Sequence, residues 1–114
     1  MTYAGLWGAV DAATGAPVWQ RSDPNGTIDL GPVSVANGVM YASSFGGTVG
    51  VPDATTTVPT MYALNAATGA VLWSYVTGDV VNAGPAIAGG SLYWGSGYRN
   101  QGFGNGNGKF FAFH

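Results

Sequence analysis

The segment Ala9–Trp19 of this 114-residue chain returns 54 positions later as Ala63–Trp73. The copies read Ala-Val-Asp-Ala-Ala-Thr-Gly-Ala-Pro-Val-Trp and Ala-Leu-Asn-Ala-Ala-Thr-Gly-Ala-Val-Leu-Trp. In each, an Asp or Asn and a Gly four positions on separate two short apolar runs. Asp and Asn side chains bond backbone two residues ahead, and Gly takes a positive φ at no steric cost. Each copy is therefore a hairpin with a five-residue connection. A second block, Gly31-Pro32-Val33-Ser34-Val35-Ala36-Asn37-Gly38-Val39-Met40-Tyr41, returns as Gly84-Pro85-Ala86-Ile87-Ala88-Gly89-Gly90-Ser91-Leu92-Tyr93. Asn37-Gly38 and Gly89-Gly90 are two-residue hairpin signals. Phe110-Phe111-Ala112-Phe113-His114 reads as the start of a third copy of the first block.

Composition narrows the fold to strands. With 20 Gly and six Pro, the longest stretch free of both is Thr60–Thr68. An ordinary helix needs about 11–12 residues and tolerates neither residue inside it. An aromatic content of 13% and a net charge of −2 exclude a disordered chain. No window approaches the roughly 18 apolar residues of a membrane helix. Three basic side chains leave no footprint for nucleic acid. With no Cys there is no disulfide or thiolate metal site. Met1-Thr2-Tyr3-Ala4-Gly5-Leu6-Trp7 has neither the basic nor the apolar region of a signal peptide, so any export signal is expected upstream of Met1.

The turns predict strands near 4–10, 16–21, 32–36, 39–45, 60–65, 70–77, 85–88, 91–96 and 109–113. Each unit then holds four short strands in about 50 residues, which is the period of a β-propeller blade. A β-solenoid or a small two-sheet sandwich is the alternative. The expectation is an all-β partial propeller of about two four-stranded antiparallel blades. Residues 1–21 would be the outer hairpin of one blade, 31–77 a complete blade, and 84–114 three strands of the next.

Ala9, Asp11, Thr14, Gly15 and Trp19, and again Ala63, Thr68, Gly69 and Trp73 with Asn65 in the Asp place, resemble the tryptophan-docking motif of quinoprotein (PQQ-type) propellers. Ala112 would open a third motif, with His114 where Asp belongs. The resemblance covers nearly the whole chain and implies that Trp19 and Trp73 staple one blade to the next. Asn82-Ala83-Gly84-Pro85 and the stretch from Trp94 through Lys109 look like the C-terminal blades of polyvinyl-alcohol-dehydrogenase-like quinoproteins. Such enzymes oxidise alcohols by hydride transfer to PQQ held by Ca²⁺, in the periplasm or outside the cell. The resemblance places the cofactor-side rim at 21–31, 43–60, 77–84 and 96–108.

On that rim three residues are candidates for touching a cofactor. Arg99 could pair bidentately with a quinone carboxylate, Asn82 could turn its amide toward the axis, and Trp94 could be a stacking platform. Each has a plainer reading: a solvated cation, a turn residue and a filler between blades. Asp79 reads as a turn residue, and Asp23-Pro24-Asn25-Gly26-Thr27-Ile28-Asp29 as a turn lacking the terminal Glu of a calcium loop. Five Asp and no Glu fall short of the six to eight oxygens that Ca²⁺ takes. No catalytic residue is nominated, no metal site is expected, and PQQ and calcium belong to a suspected parent rather than to this chain alone. Closed propellers have typically four to eight blades, so the expected partners are missing blades of a longer parent or other copies of this chain. The alternative function is a non-enzymatic propeller that binds no quinone and serves protein assembly or sensing.

Overall fold

The computed structural model describes residues 5–46, 58–100 and 103–114. Nine strands occur in them: β1 (Leu6–Val10), β2 (Pro17–Ser22), β3 (Ser34–Ala36), β4 (Val39–Ser44), β5 (Thr60–Asn65), β6 (Val71–Val76), β7 (Ala86–Ala88), β8 (Ser91–Ser96) and β9 (Lys109–Phe113). They form three antiparallel sheets, ordered β1-β2, β3-β4-β5-β6 and β7-β8-β9. The chain leaves each sheet from its outermost strand and enters the next at its innermost, as propeller blades connect. This excludes a solenoid. The fold is an all-β partial propeller, and no helix among the described residues is long and apolar enough to cross a membrane.

The turns form for the reasons the sequence gives. Asn37 and Gly38 have φ of 50° and 75°, and Gly89 and Gly90 of 56° and 77°, which a type I′ turn requires. Asp11 accepts bonds from the N–H groups of Ala13 and Thr14 and from the Thr14 hydroxyl at 2.8–3.0 Å. Asn65 accepts from Ala67 N–H at 2.9 Å. Both copies carry a register shift at the same place, Ala9/Val10 and Ala63/Leu64. The innermost strands start later than expected, at Ser34 and Ala86, because Pro32 and Pro85 have no N–H to give a ladder. Ala4 and residues 47–57 of the expected rim segment lie outside the described residues.

The sheets stack through two equivalent apolar joints. In the first, Trp7 packs with Met40, Ala42, Tyr62 and Leu64. In the second, Met61 and Val81 pack with Leu92 and Trp94. The hairpin registers make Trp7 the counterpart of Met61, and Ala42 that of Trp94. The bulk is thus supplied from opposite sides: Trp7 meets a small Ala42, and Trp94 meets the slimmer Met61. Packing at crystal-like density demands such compensation, since an extra ring in a filled joint costs about 1–3 kcal/mol. Near the axis, the Ser34 hydroxyl donates to Pro85 O at 2.7 Å and ties β3 to the entry of β7.

Candidate functional site

Antiparallel pairing brings one end of the middle sheet together as a rim. The start of β3, the end of β4, the start of β5 and the end of β6 all lie there, as the pairs Ser34↔Tyr41, Ser44↔Thr60 and Thr60↔Val76 require. The loops after β2, β4, β6 and β8 therefore share this end. Beneath them Phe45 and Val80 are fully buried, with Ile28 and Phe103 against them. Phe103 meets Phe45 edge-on at 5.1 Å.

Two rim carboxylates are committed to the loops. Asp23, buried at the exit of β2, accepts from Asn25 N–H at 3.0 Å, Thr27 N–H at 3.1 Å and the Ser44 hydroxyl at 2.7 Å. The Thr27 hydroxyl donates to it as well. Asp79, buried beyond the exit of β6, accepts from the N–H groups of Val80 at 2.8 Å, Asn105 at 3.1 Å and Asn107 at 2.8 Å. Both positions read as local turns in the sequence, whereas Asp79 also holds a loop 26 and 28 residues away. The signal for a larger role was an Asp shortly after each outermost strand.

Asp29 is the exception. Both its oxygens are shut off from solvent with no hydrogen-bond partner. Burial first, and then the charge of Asp23, push its pKa up to about 8. Gly5 lies directly over this carboxyl, so closely that a Cβ at Gly5 would overlap it.

A cavity of about 340 Å³ opens between the connection from β6 to β7 and the end of β8, lined by Val80, Asn82, Ala83, Gly95, Ser96 and Tyr98. Asn82 thus stands in a rim cavity. The Ser96 hydroxyl, which no motif in the sequence singles out, is buried and has no partner among the described residues. Arg99 is exposed and lies alongside Gly106 rather than in the cavity wall. Trp94 is 1% exposed, and its indole N–H donates to Ala83 O at 2.8 Å. Its ring fills the joint between sheets. His114 sits at the opposite end, within 2.8 Å of the Ser91 hydroxyl.

Among the described residues no group of three or more His, Cys, Asp or Glu is placed to hold a metal ion. Asp23 and Asp79 already serve as acceptors for loop donors, and Asp29 is closed off from solvent near the charge of Asp23. These residues do not fit a calcium cage, and no calcium- or quinone-dependent step is assigned to them. What the rim offers is neutral hydrogen-bonding groups, Asn82, Ser96 and Tyr98, around a small cavity. That arrangement can orient a ligand through neutral polar groups.

A family model described as outer membrane protein assembly factor BamB, of the PQQ-like repeat type, matches residues 4–109. No curated protein matches the chain.

Proposed function

We propose, because the chain belongs to the PQQ-like repeat family matched over residues 4–109, that it contributes stacked blades to a larger propeller as a scaffold for protein assembly. The reading rests on the use of the rim carboxylates. Asp23 and Asp79 are spent on N–H and hydroxyl donors of the loops, so the residues that would bind a cation instead hold the rim in shape. The description of the matched family as an assembly factor agrees with it. The test is titration of the chain with PQQ and Ca²⁺, followed by calorimetry and by reduction of a redox dye in the presence of an alcohol. Neither heat of binding nor dye reduction is expected; saturable binding with dye reduction overturns the scaffold reading.

One observation favours a second reading, in which the whole protein is a quinoprotein alcohol dehydrogenase of the periplasm or exterior, related to the polyvinyl-alcohol-dehydrogenase type. Asn82, Ser96 and Tyr98 line a rim cavity, at the end where the resemblance would put a quinone. The cofactor would accept hydride there, with its cation and base supplied by other blades. Acidic ligands in those blades favour this reading; their absence favours the scaffold.

A further inference from the structure

Four Asn-Gly pairs stand in the chain: Asn25-Gly26, Asn37-Gly38, Asn105-Gly106 and Asn107-Gly108. Such a pair carries a reaction of its own. The Gly backbone nitrogen can attack the side-chain amide carbon before it, because Gly has no Cβ to obstruct the approach. The attack needs a free amide and a glycine nitrogen that can turn toward it. The fold withholds one or both at three of the four pairs.

At the first pair the Asn25 amide donates to Val58 O at 2.7 Å and to Thr60 Oγ1 at 2.9 Å. Gly26 N–H donates to Asp23 O at 2.9 Å. In the β8–β9 loop, the Asn105 side-chain oxygen accepts from Asn107 N–H at 2.9 Å. Gly106 lies against Arg99, whose Cδ would be 3.1 Å from a Cβ there. Asn107 N–H is also held by Asp79 at 2.8 Å. Gly108 packs so closely on Gly97 that a Cβ at Gly97 would overlap its Cα.

Asn37-Gly38 has none of these restraints. Both residues are exposed, and a Cβ at Gly38 would meet nothing within 4 Å. Among the described residues, neither the Asn37 side chain nor the Gly38 N–H has a hydrogen-bond partner. Gly38 O accepts from Ala66 N–H at 2.9 Å, which holds the carbonyl and leaves the nitrogen side free. Asn37 keeps φ of 50°, a conformation unfavourable for a residue with a Cβ, where the sister turn has Gly89. The turn closes onto β3, a three-residue strand at the edge of its sheet. Short edge elements open locally at low free energy.

We propose that Asn37 is a site of spontaneous modification, converting to aspartate and isoaspartate, and that the isoaspartate form releases β3. The Gly38 nitrogen gives its proton to water and bonds to Asn37 Cγ. The Cγ–Nδ2 bond breaks, ammonia leaves, and a five-membered imide remains. Water then opens the ring. Cleavage between nitrogen and Cγ leaves aspartate on the original backbone. Cleavage between nitrogen and the Asn37 carbonyl carbon leaves isoaspartate, whose main chain runs through Cβ and Cγ. Either route consumes one water and exchanges an amide for a carboxylate. The isoaspartate main chain is longer by one carbon, and a two-residue turn sets strand register by its length. The Ala36↔Val39 pair and the Ser34 hydroxyl bond to Pro85 O therefore loosen.

The test incubates the full chain at mildly alkaline pH, folded and in urea. Proteolysis and fragment mass spectrometry then locate each converted Asn over time. Rates in the folded chain are divided by the rates of the same pairs in urea. Asn37 is expected to convert first, with the other three pairs at least about tenfold slower, since each must open locally before it reacts. Another pair converting as fast as Asn37 overturns the assignment. So does an intact Asn37 in folded chain when all four pairs have converted in urea. Asn37→Gly, which copies the sister turn, is expected to fold and to remove this conversion. Hydrogen exchange of the β3 amides is expected to be faster in the isoaspartate fraction than in fresh chain. Equal exchange overturns the release of β3.

Discussion

Both carboxylate oxygens of Asp29 are out of solvent with no partner, while Asp11 is fully exposed and bonded by its own turn. Their pKa values move in opposite directions. The Thr14 hydroxyl, then the Thr14 and Ala13 N–H groups, hold Asp11 below the ordinary 3.8. The stability it adds is present above that value and is lost as pH falls through its folded pKa. Asp29 is raised from 3.8 to about 8, by burial and then by Asp23. Between those values the folded chain holds a proton that the unfolded chain has released. Its contribution is therefore complete below about pH 4, declines as pH rises, and is gone above about pH 8. The urea midpoint should fall across this window in the native chain and stay level in Asp29→Asn. A fall of equal size in both would place the sensitive group elsewhere.

At the scale of the hairpin, the two turns built on the same pattern differ in one respect: one is docked and one is not. Gly15 and Gly69 have φ of 72° and 74°, yet a Cβ at Gly15 would meet nothing within 4 Å, while at Gly69 it would strike the Trp19 ring. Alanine at Gly15 should cost about 1 kcal/mol for the left-handed backbone. At Gly69 it should cost about 1–3 kcal/mol more for the displaced ring, read from urea unfolding of the two variants. Equal losses would mean that the dock does not hold the sheets together in solution. The strands and turns were legible in the sequence because their determinants are local: Asx, Gly and Pro at fixed offsets. The complementary exchange of Trp7 with Ala42 and of Met61 with Trp94 was not, since those partners lie 35 and 33 residues apart on different sheets. The site divided in the same way. The place of Asn82 just before an inner strand was readable, and the structure puts it in a cavity wall. The anchoring by Asp79 was not, because it takes donors 26 and 28 residues away, nor was the burial of the Ser96 hydroxyl, which sits beside residues 80–83 of a separate connection.

The stack as a whole measures 40 × 39 × 20 Å and leaves apolar surface at both ends. On the first sheet Leu6 is 56% and Val18 59% exposed, pointing away from the joint that Trp7 and Trp19 fill. On the third, Phe110 is 75% exposed and stacks on Tyr93 at 6.2 Å. Contiguous apolar patches mark contact surfaces, and two such ends on one slab are unlike each other. Contacts between unlike faces do not close on themselves in pairs but run on as rings or fibres. The chain on its own should therefore grow in mass with concentration rather than stop at a dimer, as sedimentation velocity across two decades of concentration would show. Val18→Thr with Phe110→Ser should lower that association while changing unfolding free energy by only about 0.5 kcal/mol, because neither side chain is part of a joint. A native chain that remains monomeric throughout would mean that one four-stranded sheet and two shorter ones bury enough between them to stand alone. A variant pair that associates as strongly as the native chain would move the contact from the faces to the open strand edges, where β9 and β1 each present an unpaired ladder.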